Sequence, residues 1–454
     1  MNKHYHLIGI GGIGMGTLAS LLLSQGHRVS GSDLKESDLT SRLRKEGAFI
    51  SIGHHASNVK LPDIVVYSSA VRINNPELIE AESKNIPALK RAKVLAELVN
   101  EKKGITVAGA HGKTTTTSMV SAVLIAAGLN PTTAVGGICA HHANLGAGEY
   151  FVAEADESDG TFLFFKPYIS VITNIDFEHV DHYKNWEGIL TSYAQFIECT
   201  ARGGIVIACG EDGRLNAILG RSSVRRIRYG LKPELDIYAA NIRTQGFNTA
   251  FDVFSRTEKI GAFTLGVPGE HNVLNALAAI AVGLELRVPI ATMQEALSSF
   301  MGVKRRFQLK GQIEGVMVVD DYGHHPAEIS ATIKAARGFS PKRLVVAFQP
   351  HRYSRTKFLL EEFVTALKLA DQVILTDIYE ASEKVSEGVS TDVLFKKIQE
   401  QMGQHVIYLK KEHIVDHLSA YSFLGDLVLF LGAGDIYHLS DQLVAKLQTR
   451  KVGV

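Results

Sequence analysis

The chain has 454 residues, of which 46% are hydrophobic and 21% are charged, a composition that excludes disorder, coiled coil and collagen. At about 150 residues per domain, this length predicts two or three domains. Lys and Arg number 48 and Asp and Glu 47, so the formal net charge is +1. Such a balance argues against a protein that coats nucleic acid or an anionic membrane, and we expect neither as a partner.

The cysteines and the N-terminal segment indicate the compartment. Three cysteines, at positions 139, 199 and 209, give no disulfide framework, so a reducing, cytoplasmic location is expected. The uncharged segment 7–26 has the length of a signal peptide or membrane helix, but glycines crowd its middle, where either would need helix formers. We interpret it as a strand, a glycine turn and a helix, and we expect no membrane insertion.

Short apolar runs alternate with helix-length segments, the pattern of parallel sheets covered by helices. They form three successive groups, which predict an α/β fold with three domains and borders near residues 103 and 303. The predicted strands are 5–10 and 63–68 in the first group, 105–109, 150–155, 169–174 and 205–209 in the second, and 316–320, 344–349, 373–377, 406–409 and 427–431 in the third.

The first group opens on a glycine-rich turn. Gly9, Gly11 and Gly14 follow a strand in G-x-G-x-x-G spacing, and the helix predicted over 17–25 is followed by a strand that ends in Asp33. Such glycines let the backbone approach a pyrophosphate at a helix N-terminus. The usual interpretation is NAD(P) binding, with Asp33 on a ribose hydroxyl. Any diphosphate-linked nucleotide, including a UDP-sugar, meets the same requirement, and a plain tight turn is the third alternative.

A second glycine-rich turn follows the strand at 105–109. Gly109, Gly112, Lys113 and Thr114 form a strand-to-helix phosphate loop that is shorter than the standard P-loop. Its N–H groups would surround phosphate oxygens, Lys113 would add a positive charge, and the Thr114 hydroxyl would bind Mg²⁺. A glycine-rich helix start without a ligand is disfavoured, because the run of four threonines that follows is poor helix material.

Metal-ligating side chains follow the next two predicted strands. Glu154 and Asp156 lie at the end of the strand at 150–155, at the sheet edge where open α/β folds bind ligands. His179 follows the strand at 169–174. Considered alone, His179 would be interpreted as an ordinary loop histidine. Beside a phosphate loop, an oxygen of Glu154 and a nitrogen of His179 are suited to a second divalent ion near the γ-phosphate.

Two amides begin a later helix. Asn272 and Asn275 fall on one helix face at i, i+3 spacing. Their amide groups match the donor and acceptor edge of adenine. The alternative is that they cap the N-terminus of the helix.

Together these motifs resemble those of the Mur ligase superfamily, the ATP-dependent amide ligases of peptidoglycan synthesis. The match comprises the short G-A-H-G-K-T-T loop, E-A-D-E-S-D, T-N-I-x-x-x-H and G-x-H-N-x-x-N, in the family's order. In the third domain, the motifs are similar to those of the branch that joins L-alanine to UDP-N-acetylmuramate. They are V-D-D-Y-G-H-H-P at 319–326, F-Q-P-H-R-Y-S-R-T at 348–356, D-I-Y at 377–379 and G-A-G-D-I at 432–436.

The resemblance implies an architecture and a reaction. A Rossmann-like domain at 1–102 would bind the UDP-sugar, a central P-loop domain at 103–303 would bind ATP, and a Rossmann-like domain at 304–454 would bind the incoming amino acid. The substrates would be UDP-N-acetylmuramate, L-alanine and ATP, with an acyl phosphate as intermediate. The cofactor would be Mg²⁺, expected as two ions and replaceable by Mn²⁺.

The resemblance also assigns candidate residues. The UDP-sugar would contact Gly11, Gly12, Ile13, Gly14, Met15, Asp33, Ser68, Ser69, Arg91 and Tyr322. ATP would contact Gly109, Ala110, His111, Gly112, Lys113, Thr114, Thr115, Asn272, Asn275, Arg306 and Asp321. Metal ions would be bound by Thr114, Glu154 and His179. Catalysis would depend on Lys113, Glu154, His179, His325, Arg352 and Arg355.

Three departures from the family pattern and three alternatives stay open. Ala110 replaces the usual threonine, the segment 136–146 looks shorter than the family's loop, and Asp176-Phe177-Glu178 replaces a Glu-x-Asp order. A related ligase that attaches a tripeptide to the same sugar nucleotide differs only in its pocket for the incoming amine. A nicotinamide-dependent oxidoreductase would give no role to the lysine of the second loop, Glu154 and His179. A nucleotide-binding regulator without catalytic activity is disfavoured by the intact set of lysine, hydroxyl, acid and histidine.

Overall fold

Buried aliphatic runs form the strands that the sequence predicts. The computed structural model describes residues 2–68, 70–136, 143–178, 182–381, 383 and 388–450. Every predicted strand coincides with an observed one to within two residues at either end. The chain divides into two compact units, which comprise Met1–Asn241, Phe251–Thr264 and Val273–Phe300 in the first, and Ile242–Ala250, Leu265–Asn272 and Met301–Val454 in the second.

The first sheet has five strands, which are β1 His4–Ile8, β2 Arg28–Asp33, β3 Phe49–Ile52, β4 Ile64–Tyr67 and β5 Ala88–Lys90. They are all parallel and lie in the order β3-β2-β1-β4-β5. The helices of this part are α1 Ile13–Ser24, α2 Asp38–Lys45, α3 Pro76–Ser83 and α4 Arg91–Asn100. A short 3₁₀ helix covers Ala56–Asn58.

The helix after the first glycine turn begins four residues earlier than predicted, at Ile13 instead of position 17. The prediction was wrong because glycine is a poor helix former, and α1 contains two of them. A Cβ at Gly16 would lie 2.7 Å from a side-chain carbon of Leu39 in α2. Close packing between the two helices therefore explains a glycine inside α1.

The second sheet has ten strands, which are β6 Lys103–Ala108, β7 Thr132–Ala134, β8 Ala143–Asn144, β9 Tyr150–Glu154, β10 Ile169–Ile172, β11 Ile205–Cys209, β12 Arg226–Gly230, β13 Ile237–Gln245, β14 Asn248–Ser255 and β15 Glu258–Leu265. Their order is β15-β14-β13-β12-β11-β10-β6-β9-β7-β8. From β7 to β13 neighbouring strands are parallel, and β8 is antiparallel to β7. The helices are α5 Lys113–Ala126, α6 Trp186–Glu198, α7 Gly213–Leu219, α8 Glu270–Glu285 and α9 Ile290–Ser298, with a 3₁₀ turn at Thr161–Phe164.

The third sheet has six strands, which are β16 Gln308–Ile313, β17 Val316–Asp321, β18 Arg343–Phe348, β19 Gln372–Leu375, β20 Val406–Tyr408 and β21 Asp426–Leu431. Their order is β16-β17-β21-β18-β19-β20, so β21, the last strand in sequence, lies inside the sheet. Only β16 is antiparallel to its neighbour. The helices are α10 Pro326–Arg337, α11 Tyr353–Phe358, α12 Leu360–Leu367, α13 Thr391–Met402, α14 Lys411–Tyr421 and α15 Tyr437–Arg450, with a 3₁₀ turn at Gly403–His405.

Helices cover both faces of the third sheet. Along β18, Val346 and Phe348 pack with Phe363 of α12, whereas Val345 and Ala347 pack in a second cluster with helices α14 and α15. This alternation of side chains is that of a doubly wound parallel sheet. The predicted α/β class is confirmed, and the predicted borders at residues 103 and 303 stay predictions. Within the described part of the chain, no helix is both long and apolar enough to cross a membrane.

Candidate active site

The register of the strands brings the carboxyl ends of β6, β9 and β10 to one edge of the second sheet. Val107 of β6 pairs with Glu154 of β9, and Ala108 pairs with Ile172 of β10. The residues that follow β6, β9 and β10 therefore lie side by side at the carboxyl edge, where open α/β sheets bind ligands. The second glycine loop leaves β6 at this edge.

The second glycine loop has a shape that only glycine permits at two positions. Gly109 has φ of +133° and Gly112 has φ of +80°. A Cβ at Gly109 would lie 2.1 Å from the hydroxyl oxygen of Thr173, and one at Gly112 would lie 2.6 Å from Oδ1 of Asn275. Helix α5 begins directly after Gly112 without a side-chain cap. Its first N–H groups and its dipole thus favour an anion at this loop.

Hydrogen bonds from the segment after β10 fix this loop. The Asn174 side chain accepts from the N–H of His111 at 2.9 Å and donates to its carbonyl at 3.0 Å. The Thr173 hydroxyl donates to the same carbonyl, and Nε2 of His111 lies 2.9 Å from Oδ2 of Asp176. At Ala110 the backbone N–H donates to the carbonyl of Asn174 at 3.3 Å, so the missing threonine hydroxyl leaves this backbone bond in place.

Lys113 is held as a cation within the loop. Its Nζ donates to the carbonyl of Gly109 at 2.5 Å and to both carboxylate oxygens of Glu157 at 2.9 and 3.0 Å. Burial by itself would lower the pKa of Lys113, but the carboxylates of Glu157 and Asp156 outweigh it and raise that pKa above its ordinary value. The loop therefore presents a positive charge where phosphate oxygens would bind.

A hydroxyl and a carboxylate next to this lysine fit a magnesium ion. Glu154 accepts from the N–H of Gly136 at 2.7 Å, and the Thr114 side chain acts to lower its pKa. Burial raises the pKa of Glu154, which marks a carboxylate that a divalent cation would stabilise. Oxygen donors are the ligands that Mg²⁺ prefers. The third predicted ligand, His179, lies outside the described residues, as does Ser69.

The two asparagines of α8 make different contacts. Nδ2 of Asn272 donates to the carbonyl of Pro268 at 2.7 Å and ties the start of α8 to the segment before it. Because this bond satisfies a carbonyl and not a free N–H of the helix, capping by Asn272 stays a prediction. Oδ1 of Asn275 accepts from the Thr116 hydroxyl at 3.1 Å and lies against Gly112. Asn275 thus belongs to the surroundings of the phosphate loop. Contact of either amide with adenine stays a prediction.

The first glycine loop forms a second cradle in the same unit. The N–H of Gly11 donates to Oδ2 of Asp33 at 2.8 Å, so Asp33 fastens the loop to the end of β2. A Cβ at Gly14 would lie 3.0 Å from a guanidinium nitrogen of Arg91. Helix α1 begins after Gly12 without a side-chain cap, and a cation beside such a helix start favours a diphosphate. Met15 is buried in the core, so its predicted contact with the UDP-sugar stays a prediction.

In the second unit, Asp321 fixes the chain around Arg306. One carboxylate oxygen accepts from the N–H of Phe307 at 2.7 Å, and the other accepts from the N–H of Gly323 at 2.7 Å. Burial raises the pKa of Asp321. The Arg306 guanidinium lies 5.3 Å from the ring centre of Tyr322. Because both oxygens of Asp321 are engaged, its predicted contact with the ATP ribose stays a prediction.

A group of basic side chains lies at the end of β18. Nη1 of Arg355 is 3.2 Å from Nδ1 of His351, whose ring stacks on Tyr379 at 5.7 Å. Burial, then the charges of His324 and Arg355, lower the pKa of His351 to about 3, so its ring is neutral and accepts from Arg355. Arg352 has φ of +71°, a strained conformation of the kind found at ligand sites.

His325 begins α10, where its Nδ1 accepts from the N–H of Ala327 at 3.4 Å and its side chain is buried. The predicted residues of this unit that the structure brings into one region are Arg306, Asp321, Tyr322, His325, Arg352 and Arg355.

Sequence reasoning missed two residues that shape the site. Glu157 stands inside the E-A-D-E-S-D motif but received no role, because nothing in the motif says which carboxylate faces the lysine. Asp212 caps α7 and also accepts from the N–H of Ile175 at 2.7 Å, which ties down the segment after β10. The Asp-Gly pair before a helix is a capping signal, but its second partner is a tertiary contact.

Comparisons with known families match the chain along its length. Residues 4–103 match the model described as Mur ligase family, catalytic domain, residues 107–283 match the Mur ligase middle domain, and residues 305–434 match the Mur ligase, glutamate ligase domain. Among relatives, a UDP-N-acetylmuramate–L-alanine ligase of Geobacter sp. (strain M21) is 47% identical over 99% of this chain and 98% of its own. One of Geotalea daltonii is 48% identical over 98% of both chains.

Solved structures agree with this likeness. The UDP-N-acetylmuramate–alanine ligase MurC of Thermotoga maritima has a TM-score of 0.83 and 30% identity, over 99% of this chain and all of that one. A murein peptide ligase of Psychrobacter arcticus has a TM-score of 0.71 and 25% identity, over 98% of this chain and 99% of that one. The fold is thus a three-domain one shared with these ligases.

Proposed function

The chain belongs to the Mur ligase family, and we propose that it joins L-alanine to the lactyl carboxylate of UDP-N-acetylmuramate with the cleavage of ATP. The products are UDP-N-acetylmuramoyl-L-alanine, ADP and phosphate, and the reaction takes place in the cytoplasm, where this peptidoglycan precursor is assembled. The observation that carries the proposal is the group Lys113, Thr114 and Glu154 at the second glycine loop, in one unit with a separate diphosphate cradle.

The reaction needs an activated carboxyl group, because an ionised carboxylate is a poor electrophile. An oxygen of the lactyl carboxylate attacks the γ-phosphorus of ATP, and ADP leaves with the electrons of the broken P–O bond. The deprotonated amine of L-alanine then attacks the acyl carbon through a tetrahedral intermediate. The bond between the acyl carbon and the phosphate oxygen then breaks, and phosphate departs with one of the original carboxylate oxygens. The acyl carbon stays bonded to the nitrogen of alanine in an amide.

Residues of the second loop serve the first of these steps. The Lys113 ammonium and the N–H groups that begin α5 would bind the β- and γ-phosphates and offset the charge on the transferring group. Mg²⁺, bound by Thr114 and Glu154 and, at a second ion, by Glu154 and His179, would reduce the repulsion between carboxylate and triphosphate. Holding the reactants in one geometry supplies about 7–11 kcal/mol of the barrier reduction.

The basic group of the second unit suits the incoming amino acid. A guanidinium binds a carboxylate in a two-pronged fashion, and we assign this task to Arg352 and Arg355. Tyr322, His325 and the neutral His351 would complete the surroundings of the muramoyl and alanine groups.

A phosphate-release assay tests the proposal. The purified protein is incubated with ATP, Mg²⁺ and UDP-N-acetylmuramate, with L-alanine or with the tripeptide L-alanyl-γ-D-glutamyl-meso-diaminopimelate. Release with L-alanine supports the proposal. Release with the tripeptide alone assigns the chain to peptide recycling, and binding of NADH without any phosphate release favours an oxidoreductase.

A further inference from the structure

Glu157 pairs with the lysine of the phosphate loop, yet the proposed reaction gives it no task. Its two carboxylate oxygens lie 2.9 and 3.0 Å from Nζ of Lys113, and the residue is 3% exposed. The two residues are 44 positions apart in the chain. They meet because Glu157 lies three residues beyond β9, beside the loop that leaves the adjacent strand β6.

The pair fixes the lysine before a nucleotide arrives. An ammonium group removed from water is unstable unless an opposite charge and hydrogen-bond acceptors replace its hydration. Glu157 supplies the charge, and the carbonyl of Gly109, inside the loop, supplies a further acceptor. Nζ is therefore held between the loop backbone and Glu157.

Glu157 is itself held in place. The buried Tyr183 hydroxyl donates to the backbone carbonyl of Glu157 at 2.6 Å, and the N–H of Gly160 donates to the same carbonyl at 3.1 Å. Burial raises the pKa of Tyr183 to about 12, so the hydroxyl stays a donor. The backbone of Glu157 is therefore fixed, and its carboxylate restricts the position of the Lys113 side chain.

We infer that Glu157 is a positioning residue. It holds the ammonium group of Lys113 in the phosphate loop before ATP binds, and it still accepts a hydrogen bond from one N–H of that group afterwards. The inference rests on the proposed function, in which Lys113 acts on the phosphates. An ammonium group has three protons, so with one on the carbonyl of Gly109 and one on Glu157 it keeps a third for a phosphate oxygen. The same carboxylate adds negative charge beside the triphosphate, so it weakens ATP binding while it orients the lysine for phosphoryl transfer.

The test separates binding from turnover. For Glu157→Gln, which keeps the shape and removes the charge, we expect kcat to fall at least tenfold while the Kd of a fluorescent ATP analogue stays equal or decreases. Glu157→Asp, which keeps the charge, should recover part of kcat. Tyr183→Phe should lower kcat in the same direction but less. As a control, Glu258→Gln removes an equal charge from an exposed position of β15 and should leave both values unchanged.

Two results would overturn the inference. One is a kcat of Glu157→Gln within twofold of the unaltered protein. The other is a joint loss of kcat and nucleotide affinity in a variant that melts at the normal temperature, since a merely structural carboxylate would behave in that way. The analogue is titrated against the protein without sugar nucleotide or amino acid, so this measurement does not depend on the proposed reaction. If the unaltered protein releases no phosphate with L-alanine, the proposed function fails. The inference is then judged by binding of the ATP analogue alone. A Glu157→Gln variant that binds the analogue more than threefold more weakly overturns the inference.

Discussion

The ammonium nitrogen of Lys90 lies 3.0 Å from Oδ2 of Asp159, an ion pair between the first sheet and the loop after β9. Lys90 ends β5, and the next residue, Arg91, lies against Gly14 of the first glycine loop. Asp159 also accepts from the N–H and hydroxyl of Thr161 through its other oxygen. The pair therefore connects the segment beside the first glycine loop with the acidic loop beside the second.

Asp159→Asn should remove the ion pair and keep the turn at Thr161, because the amide oxygen still accepts those bonds. Since the pair is partly exposed, its loss is worth at most about 1 kcal/mol. We expect a two- to fivefold rise in the KM for UDP-N-acetylmuramate, with the KM for ATP unchanged. This rise in KM should be smaller at about 0.5 M salt, because salt screens the attraction between exposed charges. An equal rise in both KM values would contradict the connection.

Lys113→Ala should abolish phosphate release and leave binding of UDP-N-acetylmuramate intact. The reason is that the sugar nucleotide is assigned to the first loop, whereas Lys113 belongs to the second. Removing it also leaves the buried carboxylate of Glu157 without its cation, so the melting temperature should fall. Calorimetric titration with the sugar nucleotide, carried out well below the new melting temperature, is the measurement. Loss of that binding would contradict the assignment of the loops.

Gly109→Ala should lower the affinity for an ATP analogue at least tenfold. The added Cβ would stand 2.1 Å from the Thr173 hydroxyl, so the loop has to move. Gly128→Ala is the matched control. Gly128 also has a positive φ, of +72°, but a Cβ there meets no atom within 4 Å. That variant should cost about 1 kcal/mol of stability from backbone strain alone and bind the analogue normally.

Asp320→Asn should stabilise the second unit at alkaline pH. Burial raises the pKa of Asp320 from its ordinary 3.8 to about 6, with Arg305 3.6 Å away offsetting only part of the effect. The folded state thus binds this proton more tightly than the unfolded state, and stability is lost as pH rises from about 4 to about 6. The full penalty, about 3 kcal/mol at most, is present above pH 6.

Calorimetric melting at pH 8 and pH 5 checks this prediction, with a larger gain in melting temperature expected at pH 8. Asp426→Asn provides the contrast, because Asp426 is buried in an ion pair with Arg343, with a closest separation of 2.5 Å, and its loss should destabilise. A gain for Asp320→Asn that does not depend on pH would contradict the assigned cause.

The sequence predicts the central strands and both glycine loops, because buried parallel strands appear as continuous apolar runs and glycine turns have fixed spacing. It misses most of the strands at sheet edges, although it finds β20. In β16 the run Q-L-K-G-Q-I alternates and is only partly buried, so it has no continuous apolar signal. Strands β13 to β15 likewise carry many exposed polar positions. An edge strand is defined by its pairing with a neighbouring strand, and the local sequence does not specify that partner.

The same limit applies to the site. Lys113, Thr114 and Glu154 are predictable because they occupy fixed positions relative to strand ends. Which carboxylate pairs with Lys113 is decided by the register of β6 against β9 and by the bond from Tyr183, neither of which the local pattern contains. The roles of Asp33 and Asp321 as backbone anchors depend on tertiary contacts in the same way.

The central place of β21 has a consequence for biosynthesis. Because β17 and β18 each pair with β21 and not with each other, the third sheet stays in two separate parts until Asp426–Leu431 has left the ribosome. A chain truncated just before Asp426 would expose two unpaired strand edges and the apolar faces on either side of them, a state prone to aggregate. The sheet of this unit is thus completed only when the last of its strands in sequence has been synthesised.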